Sequence, residues 1–329
     1  MGSPVHLALV GPTASGKTEA AVEIAEVLSA EIVSVDSMLV YRGMDVGTAK
    51  PTADQRARVR HHLLDLVDPA EPFSVALFQH LARGVLADIA ARGRRSLLVG
   101  GGGLYYRAIV DGLEFPGTDA LTRRLLDTEA GVLGRSDLHA RLASMDPPAA
   151  ARIEPGNVRR TVRALEVAAI TGRPFSSYAE VWERYPAGAV RAAGVAVDRP
   201  MLRRRIERRV EGMMPKLLGE TRKLVERGFG QFLTSSQAIG YAEAVACLEG
   251  RVSEAEAAAA TVRRTKALAR RQLAWLRRDP RIRWFPAGEE GAPAVAGDIM
   301  AYLLGGPGTV DGAGERFARS PAARAGAEA

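Results

Sequence analysis

The chain has 329 residues, of which 47% are hydrophobic, so it is long enough to bury one large core or two modest ones. Its apolar stretches are short and interrupted by Gly, Pro or charged residues, which excludes a membrane-spanning helix of roughly 18 to 20 apolar residues. The single cysteine, Cys247, excludes an intramolecular disulfide and a Cys-rich zinc site, while the net charge of +7 permits attraction to a polyanion.

Strand and helix patterns alternate along the first hundred residues. Strands are predicted at residues 5–10, 31–35 and 95–100, and a helix at 17–28. Such alternation is typical of an α/β fold in which helices cover a parallel sheet. Because the chain enters a strand at once, with no segment typical of a secretory signal, we expect a cytoplasmic protein.

The middle of the chain has a different pattern. Helix-like segments occupy residues 121–130, 136–145 and 157–171, and no buried strand is evident among them. A short return strand is predicted at 195–197. We therefore predict an all-helical insertion domain over residues 117–194, flanked by the two parts of a core at 1–116 and 195–288.

Long helices predicted after residue 199 give the core a helical C-terminal region. The predicted spans are 200–227, 235–248 and 253–278, and Ser253 is the expected N-cap of the last. Between residues 196 and 286 there are 20 Lys and Arg against 10 Asp and Glu. This excess fits a nucleic-acid surface or merely solvated, Arg-rich helix faces. Residues 289–329 are rich in Gly, Ala and Pro, which predicts a disordered tail.

A phosphate-binding loop follows the first strand. The pattern G-x-x-x-x-G-K-[ST] is matched by Gly11, Pro12, Thr13, Ala14, Ser15, Gly16, Lys17 and Thr18. Between a strand and a helix, such a loop surrounds a phosphate with backbone amides. Lys17 adds a positive charge and the Thr18 hydroxyl can bind Mg²⁺. The sequence therefore predicts a polyphosphate ligand.

The chain lacks an obvious Walker-B acid, the Asp that helps to hold Mg²⁺ in most P-loop enzymes acting on ATP or GTP. The best candidate strand, at residues 96–103, ends in four glycines. The nearest alternative acid is Asp36, which follows the second strand at the edge where ligands bind in open α/β sheets. Two interpretations of Asp36 stay open: chemistry beside the phosphates, or a turn residue before Ser37.

Several separate blocks, in order, resemble the bacterial tRNA dimethylallyltransferases. The blocks are the P-loop, SVDS at 34–37, YRGMDVGTAKP at 41–51, HHLLD at 61–65, VGG at 99–101 with LY at 104–105, RRTVRALEV at 159–167, AIGY at 238–241 and RRQLAWLR at 270–277. Together they extend over about residues 5 to 286.

The resemblance implies a P-loop core that binds dimethylallyl diphosphate and a helical insertion that closes on the anticodon stem-loop of tRNA. It implies alkylation of the N6 amine of adenosine 37, with Asp36 as general base. Extrusion of that base from its stack would be required, because a stacked amine cannot approach the leaving diphosphate in line. Lys17 and Thr18, with Mg²⁺, would stabilise charge on the departing diphosphate.

The resemblance also implies binding residues outside the P-loop. An Arg from the helix at 202–210 would bind the diphosphate, with Arg209 favoured over Arg205. The implied tRNA contacts are Asp36, Ser37, Met38, Leu39, Gly102, Arg160, Arg163, Arg270 and Arg271. Gly102 is a departure, since the family usually has Thr or Ser there. A side-chain hydrogen bond is thereby lost, so we expect weaker tRNA binding or altered base placement.

Two other functions compete with this interpretation. A small-molecule or nucleotide kinase would share the P-loop and parallel sheet, although the glycines that end the strand at 96–103 speak against it. A non-catalytic RNA-binding module would account only for the basic C-terminal third. Of the three, we favour the prenyltransferase, and we expect it to act as a monomer.

Overall fold

The computed structural model describes residues 6–178, 182–232 and 234–305. The chain forms two compact units, one made of residues 1–111 and 187–329 and the other of residues 112–186. Within the described ranges the strands are β1 His6–Val10, β2 Ala30–Ser34, β3 His61–His62, β4 Arg95–Gly100, β5 Val190–Val197 and β6 Ile282–Ala287. The helices are α1 Lys17–Val27, α2 Ala53–Arg58, α3 Val75–Ala91, α4 Gly103–Val110, α5 Ala120–Met145, α6 Pro147–Arg152, α7 Val158–Thr171, α8 Arg199–Val225, α9 Tyr241–Leu248, α10 Glu254–Leu276 and α11 Ala296–Leu303.

The first unit is built on one parallel sheet. Its strands lie in the order β3-β2-β4-β1-β5-β6, and every neighbouring pair is parallel. The central strands are apolar on both faces: Ala8, Leu9 and Val10 of β1 and Leu97 and Leu98 of β4 have no exposed surface. Strands buried in this way require helices on both sides of the sheet. The predicted α/β fold with a parallel sheet is confirmed.

The basic helix α10 starts as its sequence indicates. The Ser253 hydroxyl accepts from the Glu256 N–H at 3.3 Å, and the Glu256 carboxylate accepts from the Ser253 N–H at 2.8 Å. This reciprocal capping box satisfies two backbone donors that a helix start otherwise leaves without a partner. The capping box therefore defines the residue at which this long, Arg-rich helix begins.

The second unit, residues 112–186, contains helices and no strand among its described residues. Its own core includes Leu138, Leu142, Val162 and Leu165, all buried. We predicted the insertion at 117–194, but β5 already begins at Val190, so the end of that span belongs to the sheet. The predicted strand at 195–197 is the end of β5, and the small residues before it give no strand pattern in the sequence.

The disordered tail predicted from residue 289 onward is wrong for residues 289–305. Helix α11 lies there, and its Ile299 and Leu303 are buried in the main core. Although large apolar residues are few in this segment, their helical spacing puts them on one face, which packs against α1 and β5. The rest of the predicted tail, residues 306–329, lies outside the described residues. No helix within the described ranges is long and apolar enough to cross a membrane.

Candidate active site

The P-loop joins β1 to α1 at the carboxyl edge of the sheet. Gly16 immediately precedes α1 and has φ +84°, a left-handed conformation that glycine adopts without strain. Ala14 also has a left-handed φ, +63°, which costs of order 1 to 3 kcal/mol outside glycine and requires support from the surroundings. Since α1 starts at Lys17, the first free N–H groups of the helix lie at the end of the loop, as an anion site requires.

A cavity of about 740 Å³ opens beside this loop. Among its lining residues are Thr13, Ala14, Ser15, Gly16, Lys17, Thr18, Asp36, Leu39, Lys50, Gly101, Arg205, Arg208, Arg209 and Gln272. The structure thus brings together most of the P-loop, Asp36 and both candidate arginines, although α8 is nearly two hundred residues away in sequence. Gly11, Pro12, Ser37, Met38 and Gly102 do not line this cavity.

Asp36 follows β2, forms a turn and also lies beside the P-loop cavity, so its geometry is compatible with both roles that the sequence left open. Its Oδ1 accepts from the Met38 N–H at 2.8 Å, which forms the turn after the strand. The same side chain lines the cavity. Burial raises the pKa of the Asp36 carboxyl, whereas the Met38 N–H and the charges of Lys17 and Arg209 act to lower it. The turn therefore holds one carboxylate oxygen in a fixed place beside the P-loop.

Lys17 is held inside the loop to which it belongs. Its Nζ donates to the Pro12 carbonyl at 2.6 Å, and the Ser15 hydroxyl lies 3.5 Å away. Burial lowers the pKa of Lys17 to about 8, while Asp36 opposes this shift and Arg209 adds to it. An ammonium so poorly hydrated interacts strongly with an anion that enters the cavity.

The two candidate arginines of α8 have different partners. Arg209 Nη1 donates to the Thr13 hydroxyl at 3.4 Å, and burial lowers its pKa while Asp36 raises it. Arg205 instead donates to two carbonyls, from Nε to Ala14 at 2.8 Å and from Nη1 to Glu289 at 2.6 Å. Both arginines line the cavity, but Arg205 is held by carbonyl oxygens of the P-loop and Glu289, whereas Arg209 contacts a P-loop hydroxyl.

Comparison with known proteins decides the family. The family model "IPP transferase" matches residues 39–279, and the model "Isopentenyl transferase" matches residues 4–67. The chain belongs to the IPP transferase family. The resemblance noted from the sequence is confirmed, and so is the enzyme class, a prenyl-group transferase.

Named relatives of this IPP transferase cover nearly all of it. It is 47% identical to the tRNA dimethylallyltransferase of Salinispora tropica over 88% of this chain and 90% of the relative. It is 48% identical to that of Kineococcus radiotolerans, over 92% and 98% respectively. Among solved structures, the full-length tRNA isopentenylpyrophosphate transferase of Bacillus halodurans is 39% identical, with a TM-score of 0.65 over 92% of this chain and 97% of that one.

The structure brings two residues into the IPP transferase site that the sequence did not single out. Gln272 of α10 accepts from the Thr13 N–H at 2.8 Å, a contact between residues 259 positions apart. Lys50, almost fully buried, donates to Asp45 at 2.7 Å and to Asp65 at 2.5 Å. Gln272 lies within the block at 270–277 and Lys50 within the block at 41–51, but a motif does not show which partner each side chain meets.

Gly102 lies between β4 and α4, beside the segment that carries Asp36. Its N–H donates to the Val35 carbonyl at 3.3 Å. A Cβ at this position would lie 2.7 Å from the same carbonyl oxygen, closer than side-chain carbons approach backbone oxygens. In this chain, glycine at 102 therefore permits the loop to pack tightly against the end of the second strand.

The arginines predicted to contact tRNA are not equivalent. Arg160, Arg270 and Arg271 are exposed on α7 and α10. Arg163 instead donates to the buried Glu166 at 2.7 Å and to the carbonyls of residues 116 and 117 at 2.6 and 2.9 Å. These contacts give Arg163 a role in packing the helical unit, and its contact with tRNA stays a prediction.

Proposed function

We propose that this IPP transferase moves the dimethylallyl group of dimethylallyl diphosphate to the N6 amine of adenosine 37 in tRNA, giving N6-isopentenyladenosine. The observation that carries the proposal is that an anion-binding loop, the cations Lys17 and Arg209 and the carboxylate of Asp36 meet in one cavity. The reaction makes an N6–C1 bond and breaks the C1–O bond to the diphosphate. It therefore needs a stabilised anionic leaving group and a proton acceptor at the incoming nitrogen.

The leaving diphosphate lies in the P-loop, at the N-terminus of α1. Lys17 and Arg209 face it, and both are withdrawn from water, which strengthens their attraction for the negative charge that develops as the C1–O bond breaks. Arg205 acts indirectly, by holding the Ala14 carbonyl. In this assignment one arginine of α8 binds the leaving group and the other supports the loop.

Asp36 takes the proton from the N6 amine as the new bond forms. The exocyclic amine of adenine is a poor nucleophile, so a carboxylate beside it lowers the barrier. The Met38 N–H fixes the direction of the carboxylate, and the positive charges of Lys17 and Arg209 favour its ionised form before the proton is taken. The raised pKa of the buried carboxyl suits it to accept that proton.

Mg²⁺ fits this site through Thr18. Within the described ranges no group of three or more His, Cys, Asp or Glu side chains could form a metal site of its own. Mg²⁺ commonly takes few protein ligands and fills its octahedron with phosphate oxygens and water, so Thr18 in the cavity would be one protein ligand beside the diphosphate. When bound, the ion supplies charge neutralisation for the diphosphate.

Exposed arginines supply the contacts to the tRNA backbone. Arg160 serves in the helical unit, and Arg270 and Arg271 serve on α10. A groove of about 680 Å³ between α8 and α10 is lined by further cations, among them Arg263 and Arg277. Such contacts position an RNA without reading its bases, as for the anticodon stem-loop proposed here. We also propose that the protein is cytoplasmic and acts as a monomer.

Product analysis tests this function directly. Purified protein is incubated with dimethylallyl diphosphate, Mg²⁺ and total tRNA. The tRNA is then digested to nucleosides, which are separated and identified by mass spectrometry. We expect N6-isopentenyladenosine, and we expect none when the diphosphate is omitted. Transfer of phosphate from ATP with every nucleoside unalkylated would instead establish the kinase.

A further inference from the structure

Helix α10 reaches the P-loop through Gln272, a side chain that the proposed chemistry does not use. Gln272 is only 9% exposed and lines the same cavity as Asp36 and Arg209. A polar side chain is buried at a cost unless it finds hydrogen-bond partners. A buried amide beside the cavity is therefore expected to have a hydrogen-bond partner.

The P-loop residue Thr13 is that partner. Its N–H donates to Gln272 Oε1 at 2.8 Å, and its hydroxyl accepts from Arg209 at 3.4 Å. One residue of the loop is thus held at its backbone by α10 and at its side chain by α8. The next residue, Ala14, has a left-handed backbone, so the loop is strained at the point that these two helices restrain.

The glycines after β4 make room for this contact. A Cβ at Gly101 would lie 2.4 Å from Gln272 Nε2, and a Cβ at Gly103 would lie 2.8 Å from the Cβ of Trp275. Side chains of α10 thus fill the space beside the loop that follows β4. Packing of α10 onto this loop therefore requires glycine at positions 101 and 103.

We propose that Gln272 is a positioning residue of the anion site: by accepting from the Thr13 N–H, it holds the P-loop in the conformation that binds diphosphate. The inference rests on the proposed function and extends it to a residue that acts through the P-loop backbone. Since α10 also carries the exposed Arg270 and Arg271, the helix proposed to contact RNA is the one that restrains the anion site.

A substitution that removes the acceptor oxygen of Gln272 but keeps the side-chain volume tests this role. Gln272→Met removes the hydrogen bond to Thr13. Gln79→Met is the matched control, because Gln79 is also buried but does not line the cavity, and its side chain donates to the Ala108 carbonyl at 2.7 Å. Titration calorimetry with inorganic pyrophosphate and Mg²⁺ measures the anion site alone. Steady-state kinetics then give KM separately for dimethylallyl diphosphate and for tRNA.

We expect Gln272→Met to weaken pyrophosphate binding about fivefold to tenfold, the worth of one hydrogen bond in a partly buried site. The KM for dimethylallyl diphosphate should rise by a similar factor, while the KM for tRNA stays within about twofold. Gln79→Met should lower Tm but leave pyrophosphate binding unchanged. If Gln272→Met does not fold, Gln272→Asn replaces it, because its amide is one methylene too short to reach Thr13.

Unchanged or tighter pyrophosphate binding in the Gln272 variant, or an equal loss in the Gln79 variant, would overturn the positioning role. Those outcomes leave the proposed function intact, provided that the wild-type protein binds pyrophosphate and alkylates tRNA. Wild-type protein that binds no pyrophosphate would overturn the proposed function and this inference with it.

Discussion

Arg209 and Thr13, 196 positions apart in sequence, meet through a 3.4 Å hydrogen bond from the guanidinium to the hydroxyl. This contact brings a cation of α8 to the mouth of the P-loop, in the cavity that Asp36 also lines. One turn earlier on the same helix, Arg205 is occupied by carbonyl oxygens of the P-loop and of Glu289. Substitution of the two arginines should therefore have different effects.

Arg209→Ala should lower kcat/KM for dimethylallyl diphosphate by about 10² to 10³, the effect of removing one preorganised group that stabilises charge in a transition state. Steady-state prenylation of tRNA measures the loss. Arg204→Ala is the control, because Arg204 is exposed on the same helix and pairs with the exposed Glu289. Equal losses in the two variants would contradict a specific role for Arg209.

Arg205→Ala should act mainly on stability. It leaves the carbonyls of Ala14 and Glu289 without their donor and removes support from the left-handed turn, at a cost of about 1 to 3 kcal/mol. Urea denaturation measures the free energy of unfolding. A variant as stable as the wild type but unable to bind pyrophosphate would show that Arg205, and not only Arg209, binds the anion.

Gly102→Thr should not improve tRNA binding, although the family usually has a hydroxyl at this position. The new Cβ would lie 2.7 Å from the Val35 carbonyl oxygen, so the loop must shift, with a loss of about 1 to 3 kcal/mol of stability. Gly219→Ala, at an open position of α8, is the control and should be neutral or slightly stabilising. A lower KM for tRNA in Gly102→Thr, with unchanged Tm, would refute this prediction.

The acid sensitivity of the fold should depend on Glu31. This buried carboxylate pairs with Arg92 and lies 2.6 Å from His62, and the Arg92 guanidinium is the main reason that its pKa is lowered to about 2. A carboxyl whose pKa is lower in the folded state stabilises the protein above its unfolded pKa, and the contribution is lost as pH falls through the folded value.

Glu31→Gln should therefore destabilise the protein by about 3 kcal/mol at pH 7, because the variant loses the ion pair with Arg92 that lowers the pKa of Glu31. The difference from the wild type should shrink between about pH 4.5 and pH 2. Thermal unfolding at several pH values measures it. A difference that is constant over this range would show that the carboxylate charge is not what stabilises the site.

The sequence predicts what depends on neighbours along the chain. The P-loop and Asp36 follow buried strands, and carboxyl ends of parallel strands share one edge, so their proximity could be anticipated. The role of Gln272 could not, because its partner Thr13 lies 259 positions away. Nor does the sequence show that Arg163 donates to Glu166, because a family motif names the residues but not their contacts. The sequence does not predict helix α11, because the helix has few large apolar residues and is stabilised by packing against α1.

The carboxylate of Asp36, beside the anion site, is the group on which the proposed reaction most depends. Single-turnover prenylation of tRNA, with dimethylallyl diphosphate in excess, compares the wild type with Asp36→Asn, whose amide keeps the shape and can still accept from the Met38 N–H. We predict that the rate of N6-isopentenyladenosine formation falls by about 10² to 10⁴, while pyrophosphate and tRNA binding remain within a few-fold of the wild type. A rate equal to that of the wild type would contradict the assignment of Asp36 as the base.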